Sequence, residues 1–125
     1  MKKILVTGGC GFIGSNFVKK LIKKDFEIMI IDSLTYAGNL DNFSNINFRE
    51  SFKFEKIDIR DRENLEKVFN DFKPELVVNF AAESNVDRSI KNPLVFFETN
   101  VGGTINLLDL SLKFDVELFV QVSTD

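Results

Sequence analysis

Three glycines stand at intervals of three residues where an apolar run gives way to a helix-periodic segment: Gly8, Gly11 and Gly14. The preceding run, Ile4–Val6, is typical of a strand buried on both faces. Glycine permits a tight turn and lets the backbone approach a phosphate without an intervening Cβ. The N–H groups that begin the following helix attract that anion. The pattern therefore predicts a dinucleotide-binding turn between the first strand and the first helix.

Apolar runs alternate with helix-periodic segments along the rest of the chain. The runs predict strands at Ile4–Val6, Phe26–Ile31, Phe52–Ile57, Leu76–Val78 and Leu118–Val122. Helices are predicted from Phe12, from the N-cap Asp61 to just before Pro74, and from Asn92-Pro93 to about Lys113. Right-handed crossovers make this series an α/β fold with a doubly wound parallel sheet. We predict a Rossmann-like order of 3-2-1-4-5, without the sixth strand and the substrate lobe.

Periodicity also assigns the surfaces that we expect to be buried or exposed. The predicted buried face of the first helix comprises Ile13, Phe17 and Leu21. That of the last helix comprises Phe97, Val101, Ile105, Leu108 and Leu112. The fifth strand should be an exposed apolar edge, formed by Leu118, Phe119, Val120 and Val122. Such an edge predicts marginal stability.

Composition excludes several classes of function. The 125 residues (14.3 kDa) fit one domain, residues 1–125. The sequence has no histidine, which argues against a Ser-His-Asp triad, a Cys-His dyad or a zinc site, and we predict no metal. One cysteine excludes an internal disulfide. A net charge of −3 without a basic block argues against nucleic acid or an anionic membrane as partner.

The lengths of the apolar segments predict where the protein is located. The run at residues 1–6 is too short for the core of a signal peptide. No later apolar stretch is long enough to span a bilayer. We therefore expect a soluble, cytoplasmic protein.

Two carboxylates at strand ends are candidates for binding the adenosine half of a dinucleotide. Asp32 ends the second strand, where a carboxylate accepts hydrogen bonds from a ribose diol. It would repel a 2′-phosphate, and no arginine follows at residues 33–35, so NAD is preferred over NADP. Asp58, followed by Ile59, ends the third strand. It is either a ligand of the adenine edge or a solvated acid.

Cys10 lies inside the glycine turn and admits two interpretations. A helix N-terminus lowers a thiol pKa, which would make this cysteine reactive. The alternative is a small residue that fills a tight turn.

Several motifs resemble those of known enzymes. TGGCGFIG at 7–14, NFAA at 79–82 and STD at 123–125 resemble the extended short-chain dehydrogenase/reductases that act on nucleotide sugars. LTYAGNL at 34–40, AAESNVDRS at 81–89 and NVGGT at 100–104 resemble the dTDP-glucose 4,6-dehydratase family. The resemblance covers all 125 residues. It implies a tightly held NAD, oxidation of the sugar at C4, loss of water across C5 and C6, and return of the hydride to C6.

The same resemblance implies roles for particular positions. Those that match the cofactor site are Gly8, Gly11, Phe12, Ile13, Gly14, Asp32, Ser33, Leu34, Thr35, Asp58, Ile59, Phe80, Ala81, Ala82, Ser84 and Thr99. Ser84 and Thr124 match substrate-binding positions. Thr124 corresponds to a catalytic hydroxyl near C4, and Asp125 to the acid that protonates the departing C6 hydroxyl, which requires a raised pKa. The structural alternatives are caps or turns at Ser84 and Thr99, a core ring at Phe80, and a frayed terminus at 124–125.

The chain also departs from the family pattern. Asn85 replaces a histidine and Ser33 replaces a lysine. The family uses a Tyr-x-x-x-Lys pair and a glutamate after the acid. The one tyrosine here is Tyr36, and Leu40 stands four residues later. We therefore expect the isolated 125 residues to be catalytically inactive.

Three functions stay open at this stage. The chain is the N-terminal NAD-binding part of a dTDP-glucose 4,6-dehydratase, a non-catalytic NAD-binding module, or part of another nucleotide-sugar epimerase or dehydratase. The expected partners are dTDP-glucose in the complete enzyme and either a second copy or a complementing C-terminal chain. The resemblance implies homodimerisation through helices of this domain.

Overall fold

The computed structural model describes residues 2–10, 12–33, 52–81, 93–94 and 98–122. The strands are β1 Lys2–Thr7, β2 Phe26–Asp32, β3 Phe52–Lys56, β4 Leu76–Asn79 and β5 Leu118–Gln121. The helices are α1 Phe12–Ile22, α2 Arg62–Phe72 and α3 Thr104–Lys113. A π-helical segment, Glu98–Gly103, leads directly into α3. Among these residues, no helix combines the length and apolarity needed to cross a membrane.

The five strands form one parallel sheet in the order β3-β2-β1-β4-β5, which confirms the predicted topology. β1 lies at the centre, where Thr7 is in register with Ile31 of β2 and with Asn79 of β4. The chain builds the sheet outward from β1 through β2 to β3, then crosses to the other side of β1. The strand order therefore reverses between β1 and β4, where α/β sheets open a crevice at their carboxyl ends.

Successive residues of each strand point to opposite faces of the sheet, so their side chains pack into two separate hydrophobic cores. On one face, Leu5, Met29, Ile31 and Val77 pack with Leu65, Val68, Phe69 and Phe72 of α2 and with Leu107 and Leu110 of α3. On the other face, Ile4, Val6, Ile28, Ile30, Phe52 and Val78 pack with Val18 and Leu21 of α1. Helices thus cover both faces of the sheet.

The second helix is confirmed with both of its end signals. Asp61 is the N-cap, and its carboxylate accepts a hydrogen bond from the N–H of Asn64 at 3.3 Å. Lys73 adopts a left-handed conformation with φ 54°, and its N–H donates to the carbonyl of Phe69 at 2.9 Å. The next residue is Pro74, and the helix ends before it because a proline cannot continue a helix.

The predicted buried face of α1 is displaced around the helix. Leu21 is buried as expected, Phe17 is half-buried, and Ile13 is 65% exposed. Val18 forms the centre of the buried face together with Gly14 and Ser15. Small residues at the start of α1 let the helix approach the sheet closely, which turns Ile13 towards the outside.

The predicted buried face of the last helix is wrong. Four of the residues predicted to be buried are exposed: Val101 (41%) in the π-helical segment, and Ile105 (57%), Leu108 (43%) and Leu112 (80%) in α3. We call these four residues the α3 stripe. Leu107 and Leu110 are fully buried against the sheet, and Phe97 lies outside the described residues. Both faces of α3 are apolar, so hydropathy does not indicate which one packs. The π-helical segment also means that the predicted single α-helical period does not hold before Thr104.

The fifth strand is an edge strand, as predicted. It pairs with β4 alone among the described strands. Leu118 and Val120 are exposed, whereas Phe119 and Val122 are half-buried. β5 thus exposes two apolar side chains, Leu118 and Val120, at the edge of the sheet.

Candidate functional site

The carboxyl ends of three neighbouring strands converge on the glycine turn. The N–H of Gly8 donates to the carbonyl of Ile31 at the end of β2, at 2.7 Å. The N–H of Phe80 donates to the carbonyl of Thr7 at the end of β1, also at 2.7 Å. These bonds continue the sheet beyond its last regular residues and bring the turn, β2 and β4 together at the point where the strand order reverses.

Gly8 occupies the tightest position of this junction. Its φ is +73°, in the left-handed region, where glycine alone avoids strain. A Cβ at this position would lie 2.5 Å from the backbone N of Ala81 and 2.6 Å from the carbonyl carbon of Phe80. At Gly14, a Cβ would lie 2.3 Å from the carbonyl oxygen of Gly8. Two of the predicted glycines are thus required for backbone packing, and Gly11 lies outside the described residues.

A buried polar network joins β1, β4 and β5 beneath the turn. Asn79 Oδ1 accepts hydrogen bonds from the hydroxyl of Thr7 and, at 2.9 Å, from the N–H of Ala81. Asn79 Nδ2 donates to Gln121 Oε1 at 2.8 Å. Thr7 and Asn79 are fully buried. The sequence predicted no role for Asn79 or Gln121, although an asparagine that ends an apolar strand is a detectable signal.

Asp32 lies where the sequence predicted a ribose-binding carboxylate. It is buried at the end of β2, and its Oδ2 accepts a hydrogen bond from the N–H of Cys10 at 2.9 Å. Its backbone carbonyl accepts from the N–H of Ile57, beyond β3, at 3.2 Å. The carboxylate is therefore fixed against the glycine turn, which is the position that a bound adenosine ribose requires.

The first turn of α1 carries no acidic side chain, and it exposes Phe12 and Ile13 while Gly14 and Ser15 are buried. Phe12 is 79% exposed beside Ile13, so both predicted cofactor-lining residues are accessible to a ligand. No side chain of that turn neutralises the positive end of the helix dipole. This arrangement favours an anion such as a pyrophosphate at the start of α1.

Cys10 has the features of a structural residue. It is fully buried in the turn. Burial, and secondly the negative charge of Asp32, raise the pKa of its thiol to about 12. Since the thiolate is the reactive form, so high a pKa makes the thiol inert near neutral pH. The structure thus favours the interpretation of Cys10 as a small residue filling a tight turn.

Asp58 and Ile59 lie together in the loop after β3. Ile59 is buried in the core that α2 and α3 share. The Asp58 carboxylate is half-buried and pairs with Arg60, whose Nη2 lies 2.6 Å from Oδ2. Burial alone would raise the pKa of Asp58, but the hydrogen bonds and charge of Arg60 outweigh it and hold that pKa below its ordinary value. The loop therefore presents an ionised acid next to a buried apolar side chain.

Phe80 and Ala81 follow β4 directly. Both are half-buried, and the Phe80 ring lies 5.3 Å from that of Phe17, measured between centroids. Phe80 therefore packs on α1 while part of it stays accessible. Ala81 is held by its backbone N–H, which donates to Asn79 Oδ1.

The remaining predicted positions divide into two groups. Ser33 is half-buried directly after β2, and Thr99 lies in the π-helical segment. The positions outside the described residues are Gly11, Leu34, Thr35, Ala82, Ser84, Thr124 and Asp125.

The chain is similar to known proteins over nearly its whole length. The family model described as GDP-mannose 4,6 dehydratase matches residues 5–125. The low-salt glycan biosynthesis protein Agl12 of Haloferax volcanii is 48% identical over 123 residues, which are 98% of this chain and 39% of that protein. Curated dTDP-glucose 4,6-dehydratases from several bacteria match at 41–46% identity. The chain spans 31–39% of the length of these curated relatives.

Solved structures share the fold closely. The dTDP-glucose 4,6-dehydratase of Bacillus anthracis, in complex with NAD, has a TM-score of 0.85 and 41% identity, and the match covers 99% of this chain and 38% of that one. The UDP-glucose 4-epimerase of Thermotoga maritima, with UDP-glucose, has a TM-score of 0.88 and 36% identity, covering 98% and 38%. The present chain is thus similar to dehydratases and to epimerases of nucleotide sugars.

A pair of glycine substitutions tests the junction. We expect Gly8→Ala to lower the free energy of unfolding by about 2 kcal/mol or more, since left-handed strain alone costs roughly 1–2 kcal/mol and the Cβ would clash with backbone. Gly102→Ala is the control, because within the described residues no atom beyond its chain neighbours and its own helix backbone lies within 4 Å of the added Cβ. That variant should be neutral or more stable by up to about 1 kcal/mol. Urea unfolding measures both, and equal losses would contradict the role given to Gly8.

Proposed function

The chain belongs to the GDP-mannose 4,6 dehydratase family, and on that premise we propose that it is the N-terminal, NAD-binding region of a dTDP-glucose 4,6-dehydratase. Identities of 41–46% to curated enzymes of that name support the substrate class. The complete enzyme converts dTDP-glucose to its 4-keto-6-deoxy derivative. In this proposal the described residues bind the cofactor, and the sugar chemistry is completed by groups outside them.

The observation that carries the proposal is the junction of β1, β2 and β4. It combines a first helical turn without acidic side chains, a buried carboxylate fixed by the N–H of Cys10, and a turn in which a Cβ has no room at Gly8. NAD has an anionic pyrophosphate and a ribose diol that match the first two features. When bound, NAD accepts a hydride from the sugar and returns it.

The charge of Asp32 supports NAD rather than NADP as the cofactor. Its carboxylate is an acceptor for the two hydroxyls of the adenosine ribose. A 2′-phosphate at the same place would set a second negative charge beside a buried carboxylate, which is unfavourable in a poorly solvated environment.

Calorimetric titration with NAD and NADP tests this assignment. We expect NAD to bind at least about tenfold more tightly, since a hydrogen bond to a charged group contributes about 1.5–3 kcal/mol. Asp32→Ala should weaken NAD and remove the preference. Asp71→Asn, which changes an exposed acid of α2, is the matched control and should leave both affinities unchanged. Equal binding of the two cofactors by the native chain would contradict the proposal.

The catalytic roles proposed for Thr124 and Asp125 are those that the resemblance of the STD motif at 123–125 implies. A hydroxyl there would hold the sugar near C4, and a protonated carboxyl would release the C6 hydroxyl as water. A second candidate is a nucleotide-sugar 4-epimerase, which the fold shared with the Thermotoga maritima enzyme favours. The motifs at 34–40 and 81–89 support the dehydratase instead. The third candidate is an NAD-binding module without chemistry.

Mass spectrometry, which detects loss of water, and proton NMR, which detects inversion at C4 without a change of mass, together distinguish these candidates. The protein isolated from its natural source, together with whatever segment or chain completes it, is incubated with dTDP-glucose, and separately with UDP-glucose; the 125 residues alone should give no product. We expect dTDP-glucose to lose one water, because elimination across C5 and C6 is the step that an epimerase does not perform. A product of unchanged mass but inverted C4 would replace the dehydratase with the epimerase. Bound NAD without any product would leave the non-catalytic module.

The α3 stripe supports a second copy of the chain as a partner in this proposal. Its four apolar side chains, one in the π-helical segment and three in α3, are exposed, and water solvates them poorly. Two such stripes pack against each other in an isologous dimer. A complementing chain over the stripe is the alternative occupant.

Sedimentation velocity tests the dimer. We expect the native chain to sediment at twice its chain mass, and Leu108→Glu to shift it to the single-chain mass, because a glutamate would be buried unpaired at the interface. Lys67→Glu on α2 is the control for an added acid and should leave the dimer intact. A monomeric native chain, or a different chain that co-purifies with it, would contradict self-association.

A further inference from the structure

The loop between β3 and α2 contains an arginine that the proposed function does not use. Arg60 Nε lies 3.0 Å from both carboxylate oxygens of Asp58, and Nη2 lies 2.6 Å from Oδ2. The backbone N–H of Arg60 also donates to Oδ1, at 2.9 Å. One residue thus supplies three donor groups to the same carboxylate.

The same loop is attached on its other side to the helical layer. Arg60 Nη1 lies 3.6 Å from Glu98 Oε2 in the π-helical segment. Asn106 Nδ2 of α3 donates to the carbonyl of Ile59 at 3.0 Å and is 3.4 Å from that of Arg60. With Ile59 buried in the core, the loop is held at three consecutive residues.

These contacts fix both the orientation and the charge of the Asp58 carboxylate. A guanidinium is planar, so two-point pairing fixes the plane of the carboxylate as well as its position. Arg60 also keeps this acid ionised by holding its pKa below the ordinary value, against the effect of burial. An ionised carboxylate accepts hydrogen bonds and donates none.

We propose that Arg60 is a positioning residue that orients Asp58 to accept a hydrogen bond from the 6-amino group of adenine, and that this pair makes the site select adenine over 6-oxopurines. The inference rests on the proposed NAD site and deepens it. A 6-oxo group is an acceptor, so it would face the carboxylate without a proton between them. Selection therefore requires that the carboxylate cannot turn away.

A purely structural ion pair makes a different prediction. Both side chains are about one-third exposed (Arg60 38%, Asp58 33%), and pairs of that exposure contribute little to stability. Loss of such a pair would weaken all dinucleotides equally. A positioning role instead predicts a change in the ratio between two dinucleotides that differ at one atom of the purine.

The test measures the affinities of the full native chain for NAD and for nicotinamide hypoxanthine dinucleotide by calorimetry. We expect about tenfold tighter binding of NAD, the effect of one hydrogen bond to a charged group. Arg60→Gln should bring the ratio towards one. Arg62→Gln is the matched control and should keep the native ratio, because Arg62 of α2 pairs with Asp109 of α3, at 2.6 Å, and not with Asp58.

The outcomes separate this inference from the function on which it rests. A native ratio in folded Arg60→Gln would overturn the positioning role. If that variant does not fold, as a thermal melt reports, Arg60→Lys decides, since lysine keeps the charge but cannot form the planar fork. Native-like selectivity in Arg60→Lys would also overturn it. Native chain that binds both dinucleotides equally contradicts the inference alone, whereas failure to bind NAD removes the proposed function as well.

Discussion

The approach of two backbones at Gly8 and Phe80–Ala81 is the contact on which the rest of the site depends. It is possible because no Cβ stands between the glycine turn and the end of β4. The hydroxyl of Thr7 and the amide of Asn79 hold the same two strands together just beneath it. Since the strand order reverses at this place, the contact also sets the width of the crevice. Packing and ligand binding therefore impose the same requirement on one residue.

The sheet could be predicted because its signals are local and agree with one another. Short continuous apolar runs separated by helix-period segments indicate parallel strands, and one helix has both an N-cap at Asp61 and a stop at Pro74. The last helix could not be predicted in the same way. Leu107 and Leu110 lie on one face and Ile105 and Leu108 on another, so the burial of either face was compatible with the hydropathy pattern.

The residues of the candidate site likewise differ in whether a local sequence pattern identifies them. The glycine turn and Asp32 were predictable, because each is identified by its position relative to an adjacent strand. The partners that fix the site are distant in sequence: Thr7 and Asn79 are 72 residues apart, and Asn79 and Gln121 are 42 apart. The pairing of Arg60 with Glu98 likewise depends on how α3 packs against the loop after β3. No local sequence pattern indicates that such distant residues are in contact, so these contacts are visible only in the folded chain.

The central strands of the sheet are covered more completely than the edge strand β5. In the proposed function, the cofactor is bound at the covered strands and the sugar reacts near the exposed edge. β1 and β2 are packed on both faces, so the groups that would hold NAD are fixed by contacts within the described residues. β5 and the α3 stripe leave apolar side chains exposed. In the proposed function, the hydroxyl and the acid that act on the sugar, Thr124 and Asp125, lie three and four residues beyond β5 in the sequence. Exclusion of water and neighbouring negative charge both raise the pKa of a carboxyl towards neutral pH. A partner that covers β5 would therefore contribute to keeping Asp125 protonated, while cofactor binding would depend on β1, β2 and β4.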